Sequence, residues 1–433
     1  MQGIPFVSFV DFVVNNPDQG RRGVEGRVAE RVALEGQAVA RASGSVDVLV
    51  GIPALNQARS VGHVVERVAA GLAKQRDRGR AAIVVVDAGS RDRTPEAVPQ
   101  TAEGGLRPQV VRLSQASRGR ALLATLAGAR QASVRACAIV DAGLESVSPE
   151  GLERLLTPVL AGEADYVSPT YSHPASEGTL TTNLLAPMAR ALFGKRLRQV
   201  VGHCLALSPA MAARAFSSMD GETEVAERAV EVWLPLEAMA SGSRVVEADQ
   251  GRKVMDPGLT PPDLATTLVQ VLGPFFGLLG RYRGVWMEGA GHSLPLPHRG
   301  AAPALLPPAA GVQVERMIKA FRLGLKDLAP LWEEILPEET LQQLYPLGLL
   351  AADEFRFPPD TWAEAVYAFA GAYHERRLPR DHLIRSLTPL YLGRTAAFLL
   401  EARETTPERL GELLEQVSCA FEAAAEHLRA RWR

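Results

Sequence analysis

Apolar and polar positions follow two different periods along this chain, and the change between them marks its organisation. From Val46 to about Pro257, short runs rich in Val and Ile are separated by stretches whose apolar residues lie three and four apart. The pattern predicts a first strand ending at Pro53, a helix over Ala58 to Ala73, and a strand over Ala81 to Val86. A helix over Gly119 to Ala132 and a third strand over Ala136 to Val140 follow. Runs that are apolar at every position, rather than at alternate ones, belong to strands covered on both faces. Their alternation with helices implies a mostly parallel α/β sheet.

Outside that region the period changes. Residues 1–45 form a leader, with a turn-rich charged stretch at Gly20 to Gly26 and helical spacing over Val24 to Ala42. Residues 258–311 combine an apolar helical segment with a proline- and glycine-rich stretch, including Leu294 to Pro303, that predicts a linker or surface-hugging loop. From residue 312 to 433 the spacing of Val314, Met317, Ile318, Phe321 and Leu325 predicts an all-helical C-terminal domain. The α/β domain itself is expected over residues 46–257.

Composition narrows the classes. With 433 residues, 47% of them hydrophobic, the chain can bury a sizeable core, and its net charge of -2 gives no reason to expect nucleic acid. Cys137, Cys204 and Cys419 are too few and too scattered for a disulfide framework or a cysteine metal cluster, which fits a reducing cytoplasm. Met1 to Val14 carries Asp11 and no basic lead-in, so it makes a poor secretory signal. The longest uncharged run, Leu264 to Gly280, is interrupted by Pro274 and falls short of the ~20 apolar residues that span a bilayer. A buried or interface helix pair is the expectation there, with peripheral membrane contact left open.

The candidate chemistry sits where the strands stop. Pro53 closes the first strand, and Asn56 and Gln57 are expected to open the next helix, where unpaired N–H groups suit a nucleotide. Asp87 ends the second strand, with Gly89 and Ser90 turning the chain and Asp92 and Thr94 as further caps. Asp141 ends the third.

These residues resemble the opening of glycosyltransferase family 2, in which a strand ending in Pro-x-x-Asn-Glu and another ending in Asp-Asp-Gly-Ser hold the nucleotide of a sugar donor. The resemblance implies a GT-A fold, with Pro53, Asn56, Gln57 and Asp87 on the nucleoside. Asp141 would hold the diphosphate or a divalent cation such as Mg²⁺ or Mn²⁺. Arg120, which follows Gly119 at a helix start, falls where relatives carry a phosphate or sugar loop. The remainder of the chain is similar to the mannosylglycerate synthase and glucosyl-3-phosphoglycerate synthase group, through Asp165 to Tyr171, Leu192 to Gly202, Glu231 to Leu234, Lys253 to Pro257 and Leu378 to Thr395. That likeness implies transfer of a hexose, from GDP-mannose or a glucose donor, to a small glycerate-like acceptor. Glu231 would be the catalytic carboxylate steering the acceptor, Gly202, His203 and Trp233 would line its site, and a homodimer is expected.

The same likeness exposes departures at the metal. Gly143 stands where the second Asp of an Asp-x-Asp pair is expected, and Met255 stands where a His would complete the site; neither is a ligand for a hard cation. Glu145 is the nearby carboxylate that could compensate. Loss of both ligands implies weak or absent metal use, with Arg118, Arg120, Arg252 and Lys253 as cations for the phosphates. Arg118 and Arg252 are expected on a solvated face and Arg120 at the site. The losses also motivate an alternative, a catalytically inactive paralogue that binds a nucleotide sugar and regulates or scaffolds a partner. A third reading, transfer to a membrane lipid, rests only on Leu264 to Gly280.

Overall fold

Val48–Ala54 forms β1, and each of its residues is buried, as a strand covered on both faces requires. It lies between two parallel partners, β2 (Ala81–Asp87) and β4 (Ala136–Val140), with Ala54 opposite Asp87 and Gly51 opposite Ile139. The computed structural model describes residues 17–75, 79–114, 117–217, 223–258, 263–289, 293–309, 311–403 and 405–432. The Met1 to Val14 stretch lies outside the described residues.

Among the described residues the sheet has nine strands. Besides those named, they are β3 (Gln109–Arg112), β5 (Tyr166–Pro174), β6 (Cys204–Leu207), β7 (Val245–Arg252), β8 (His298–Arg299) and β9 (Leu305–Leu306). Their order is β3-β2-β1-β4-β6-β5-β7-β8, with β9 on β5. Only β6 runs antiparallel, against both β4 and β5, so the sheet is mostly parallel as the alternation predicts. One strand was hidden from the pattern: β3 lies at the edge and buries one of its four residues, leaving no apolar run to detect. Ala136–Val140 is therefore the fourth strand in sequence rather than the third.

Helices cover both faces. On one, α2 (Val61–Ala73) buries Val61, Val64, Val65, Val68 and Leu72, a helical stripe, beside α4 (Pro149–Leu160). On the other lie α1 (Pro17–Ser43), α3 (Arg118–Gln131), α5 (Ala186–Phe193), α6 (Pro209–Ser217) and α7 (Thr223–Ala240). The Gly20 to Gly26 stretch, expected as a turn, is part of α1. Close approach of α1 to α3 requires small residues: a Cβ on Gly36 would meet Ala127 Cβ at 2.4 Å, and one on Gly128 would meet Val39 Cγ1 at 2.5 Å.

The apolar segment is one helix, α8 (Leu264–Arg281), not a pair. Pro274 lies inside it, and Asp263 caps its start by accepting from Thr266 N–H. It is long and apolar enough to cross a membrane, with 39% of its apolar window buried, and it packs against α7. The stretch after it, expected as linker, contributes a short α9 (Arg283–Trp286) and the two-residue strands β8 and β9, which are too short to show a period.

The C-terminal region is helical: α10 (Val314–Asp327), α11 (Ala329–Ile335), α12 (Glu338–Leu347), α13 (Pro359–Glu375), α14 (Arg380–Ser386), α15 (Thr388–Glu401) and α16 (Pro407–Trp432). Its apolar side chains form one continuous core with those under α3, α5 and α7. At the seam, α16 packs on α5, and Arg190 of α5 is bonded to Glu415 at 2.6 Å and Glu422 at 2.8 Å.

Candidate nucleotide-sugar site

The strand order places a crevice at the C-terminal ends of β1, β2 and β4. The connection from β1 leads to β2 on one side, while β4 lies on the other, and α/β sheets bind ligands where the order reverses in this way. Pro53, Asp87 and Asp141 all reach that edge. Ala142 N–H donates to Pro53 O at 3.2 Å, and Ala88 N–H donates to Ala54 O at 2.8 Å, so the three strand ends are held together.

The loop after β1 is stitched to the loop after β2. Asn56, at φ 56°, is in the left-handed region that Asn tolerates better than most residues. Its N–H donates to Ser90 Oγ at 2.9 Å, and its Oδ1 accepts from Arg91 N–H at 2.8 Å. Gln57 N–H donates to Thr94 Oγ1 at 2.7 Å and Ala58 N–H to Asp92 Oδ2 at 3.1 Å. Asn56 and Gln57 thus precede α2 and do not open it, which corrects the sequence expectation. Asp92 and Thr94 cap this loop, not the helix after β2. Asp87 is buried and accepts from Ser90 N–H at 3.1 Å, with Arg112 Nε 3.8 Å from its other oxygen.

Asp141 is the hub. It is 1% exposed; Oδ1 accepts from Gln57 Nε2 at 3.0 Å and from Gly143 N–H at 2.7 Å. Oδ2 faces His203 Nδ1 at 3.1 Å and is ion-paired with Arg118. Burial alone would raise its pKa; the Arg118 guanidinium and His203 outweigh that and hold the carboxyl well below the usual range. Arg118 also donates from Nε to Glu231 Oε1 at 2.6 Å, so one guanidinium bridges carboxylates from β4 and α7. Burial opposes its charge, but the two carboxylates raise its pKa further.

Arg118 was expected in solvent and is instead at the centre. It is the first residue of α3, whose cap Ser117 accepts from Arg120 N–H, and α3 starts at the edge where the strands end. Arg120 goes the other way. Its guanidinium is 1% exposed and donates from Nε to Glu35 of α1 at 2.8 Å, so the structure does not bring it to the crevice. Trp233 is also displaced from its expected role, because it is 3% exposed in the apolar core. Arg252 is exposed at the end of β7.

Pro53, Arg118, Asp141, Gly202, His203 and Glu231 line the cleft. Gly202 is there because nothing larger fits: a Cβ would meet Pro169 Cγ at 2.7 Å. Below it, Tyr171 Oη lies 3.1 Å from Cys204 Sγ, both buried. The ammonium of half-buried Lys253 sits 5.9 Å from the Tyr171 ring centroid. The space the cleft residues enclose, with Leu122, Ile139, Leu205 and Leu234 behind them, is about 10 Å³, room for about one water.

Residues 49–220 match the glycosyl transferase family 2 model. That segment runs from β1 past β6 and holds Pro53, Asp87, Arg118, Asp141 and His203, while Glu231 and Lys253 lie beyond it. No curated protein matches the chain. Among solved structures, glucosyl-3-phosphoglycerate synthase from Mycobacterium tuberculosis in complex with Mn²⁺, UDP and phosphoglyceric acid is 18% identical, with a TM-score of 0.41 over 58% of this chain and 82% of that one. The same enzyme with Mn²⁺, UDP-glucose and phosphoglyceric acid is 20% identical, with a TM-score of 0.39 over 57% and 83%. A mycobacterial protein is 20% identical, with a TM-score of 0.41 over 58% and 78%. The fold is α/β, with a mostly parallel sheet covered by helices on both faces and a helical C-terminal region.

The divalent cation implied by family 2 does not fit the residues present. Both oxygens of Asp141 already receive two donors each. Gly143 offers only its backbone, and Met255, bridged to Leu144, packs its thioether on the apolar cluster under α2. Glu145 is placed by its backbone carbonyl, 3.1 Å from His63 Nε2. Asp256 accepts from Gly258 N–H at 2.8 Å. Among the described residues, no three His, Cys, Asp or Glu side chains converge as a cation site. A divalent ion would also face Arg118: two unit charges about 4 Å apart repel by about 4 kcal/mol at an effective dielectric of about 20, and a divalent ion by about twice that.

Proposed function

We propose that the chain is a hexosyltransferase. It binds a nucleoside-diphosphate sugar, GDP-mannose or a glucose donor, at the crevice of Pro53, Asn56, Gln57, Asp87 and Asp141. It passes the sugar to a small glycerate-like hydroxy acid lying against Gly202, His203 and Glu231. The observation that carries this reading is the convergence of Asp87 and Asp141 on the strand ends flanking β1, with Gln57 joining the first loop to Asp141. The nucleoside is assigned to Asp87, whose flanking loops are braced by the hydrogen bonds of Asn56 and by Ala58 N–H donating to Asp92. The diphosphate is assigned to Arg118, at the start of α3, where helix geometry favours anions. The donor and acceptor classes rest on the sequence resemblance.

One observation favours a second reading, a catalytically inactive nucleotide-sugar-binding protein that regulates or scaffolds a partner. The ion pair of Arg118 with Glu231 lies in the cleft and engages the carboxylate that would steer the acceptor. Two experiments separate the readings. Calorimetric titration with UDP, GDP and ADP is expected to show binding of one nucleotide. Incubation of that nucleotide's glucose or mannose conjugate with glycerate or 3-phosphoglycerate is then expected to release nucleoside diphosphate and form a glycoside. Binding without product selects the inactive reading, and no binding of any nucleotide sinks both.

A further inference from the structure

Resting on the reading of this crevice as a nucleoside-diphosphate site, we propose that Arg118, seconded by Lys253, takes the place of the divalent cation, and that the diphosphate displaces Glu231 from the guanidinium when it binds. The cleft contains two carboxylates, Asp141 and Glu231, and the chain supplies its own cation between them. Asp141 is the fixed partner. It is buried, and Gln57, Gly143 N–H and His203 hold it in place. Glu231 is the exchangeable partner: its side chain is 34% exposed and Arg118 is its one ion-pair partner among the described residues. A guanidinium held on one side by a fixed carboxylate presents its remaining N–H groups in a planar fork, which matches the oxygens of a phosphate.

Lys253 supplies the second charge. Its ammonium lies over the face of Tyr171 and closes no ion pair with a described carboxylate, although Asp141 and Glu177 both act on it from a distance. A half-buried lysine in that condition is less hydrated than one in water and gains more from an arriving anion. Exchange of Glu231 for phosphate would also free that carboxylate for the acceptor, so that donor binding would precede acceptor binding.

The test is calorimetric titration of the full chain with UDP, GDP and ADP in EDTA and again in Mn²⁺, alongside thermal melts. The wild-type protein is expected to bind one nucleotide as tightly in EDTA as in Mn²⁺. Arg118→Gln is expected to weaken that binding by about tenfold or more, and Arg118→Lys by less, since an ammonium keeps the charge but not the fork. Glu231→Gln is expected to tighten it several-fold in EDTA, because the competitor for Arg118 loses its charge; this variant keeps the test alive if the Arg118 variants melt early. Binding that requires Mn²⁺, or that is unchanged in a folded Arg118→Gln protein, overturns the inference and leaves the nucleotide-site reading standing. Failure of every nucleotide to bind the wild type in either condition overturns that reading, and the inference with it.

Discussion

Asp141 shows how one buried carboxylate acquires a function and a stability cost together. Its charge is balanced by Arg118 and its oxygens are filled by Gln57, Gly143 N–H and His203. Removing the charge in Asp141→Asn leaves Arg118 with Glu231 alone and is expected to cost about 3 kcal/mol in urea unfolding at pH 7. The pH dependence follows from the depressed pKa. A carboxyl whose pKa is lower folded than unfolded stabilises the fold fully above the unfolded value, about 3.9. That contribution is lost as pH falls below it toward the folded value. Wild-type stability should therefore fall more steeply below about pH 4 than that of Asp141→Asn, and parallel acid unfolding curves would show that the charge of Asp141 is not engaged. Gly202 makes the opposite point, since its contribution is an absence. Gly202→Ala drives a methyl into Pro169 and is expected to cost about 1–3 kcal/mol, visible as a lower Tm with weaker nucleotide binding.

At the scale of elements, α3 is the piece on which most depends. Its N-terminal residue faces the cleft, while two residues later Arg120 anchors α1 through Glu35. Arg120→Met breaks a buried pair and is expected to cost about 3 kcal/mol while leaving nucleotide affinity unchanged in the folded protein. Loss of affinity without loss of stability would instead return Arg120 to the phosphates. The middle of α3 rests on β1 because Gly51 has no side chain to strike Thr125, whose Cγ2 a Cβ would meet at 2.2 Å. Its far end meets α1 through Gly128. Gly128→Val should push α1 away, at about 1–3 kcal/mol, and limited proteolysis within residues 17–43 should accelerate. Unchanged cleavage would mean that the remaining contacts of α1, including Arg120 with Glu35 and Gln131 with Ala33, hold it without close approach at Gly128.

For the whole molecule, the continuous core ties the helical C-terminal region to the sheet. Arg190 is the polar rivet of that seam, 8% exposed between Glu415 and Glu422 of α16. Both glutamates are partly solvated, so Arg190→Ala is expected to cost about 1–2 kcal/mol, less than a fully buried pair would. Hydrogen exchange of α16 should rise with little change in β1 and β4. A uniform rise across both would mean that the seam opens only on global unfolding.

Much of this arrangement was legible in the sequence, for identifiable reasons. Apolar runs ending around Pro53, Val86 and Val140 dictate buried parallel strands, and the residues at or just after their ends, Pro53, Asp87 and Asp141, reach the crevice. Local pattern therefore determined the sheet, the crevice edge, and Asp87 and Asp141 within it. It could not see β3, β8 and β9, which are too short or too exposed to carry a period. It also chose Arg120 over Arg118 for the site, the reverse of what packing gives. Residues two apart on a helix point about 200° apart, so one must face the strand ends and the other α1. Which one does so depends on how α3 is rotated on the sheet, and that rotation is set by Gly51, Gly128 and the packing of α1, contacts between segments distant in the chain. The same holds for Trp233, whose neighbours in sequence look like a site but whose ring the tertiary core claims. Spacing along the chain determines which elements form and where they end; packing between them decides which charges meet.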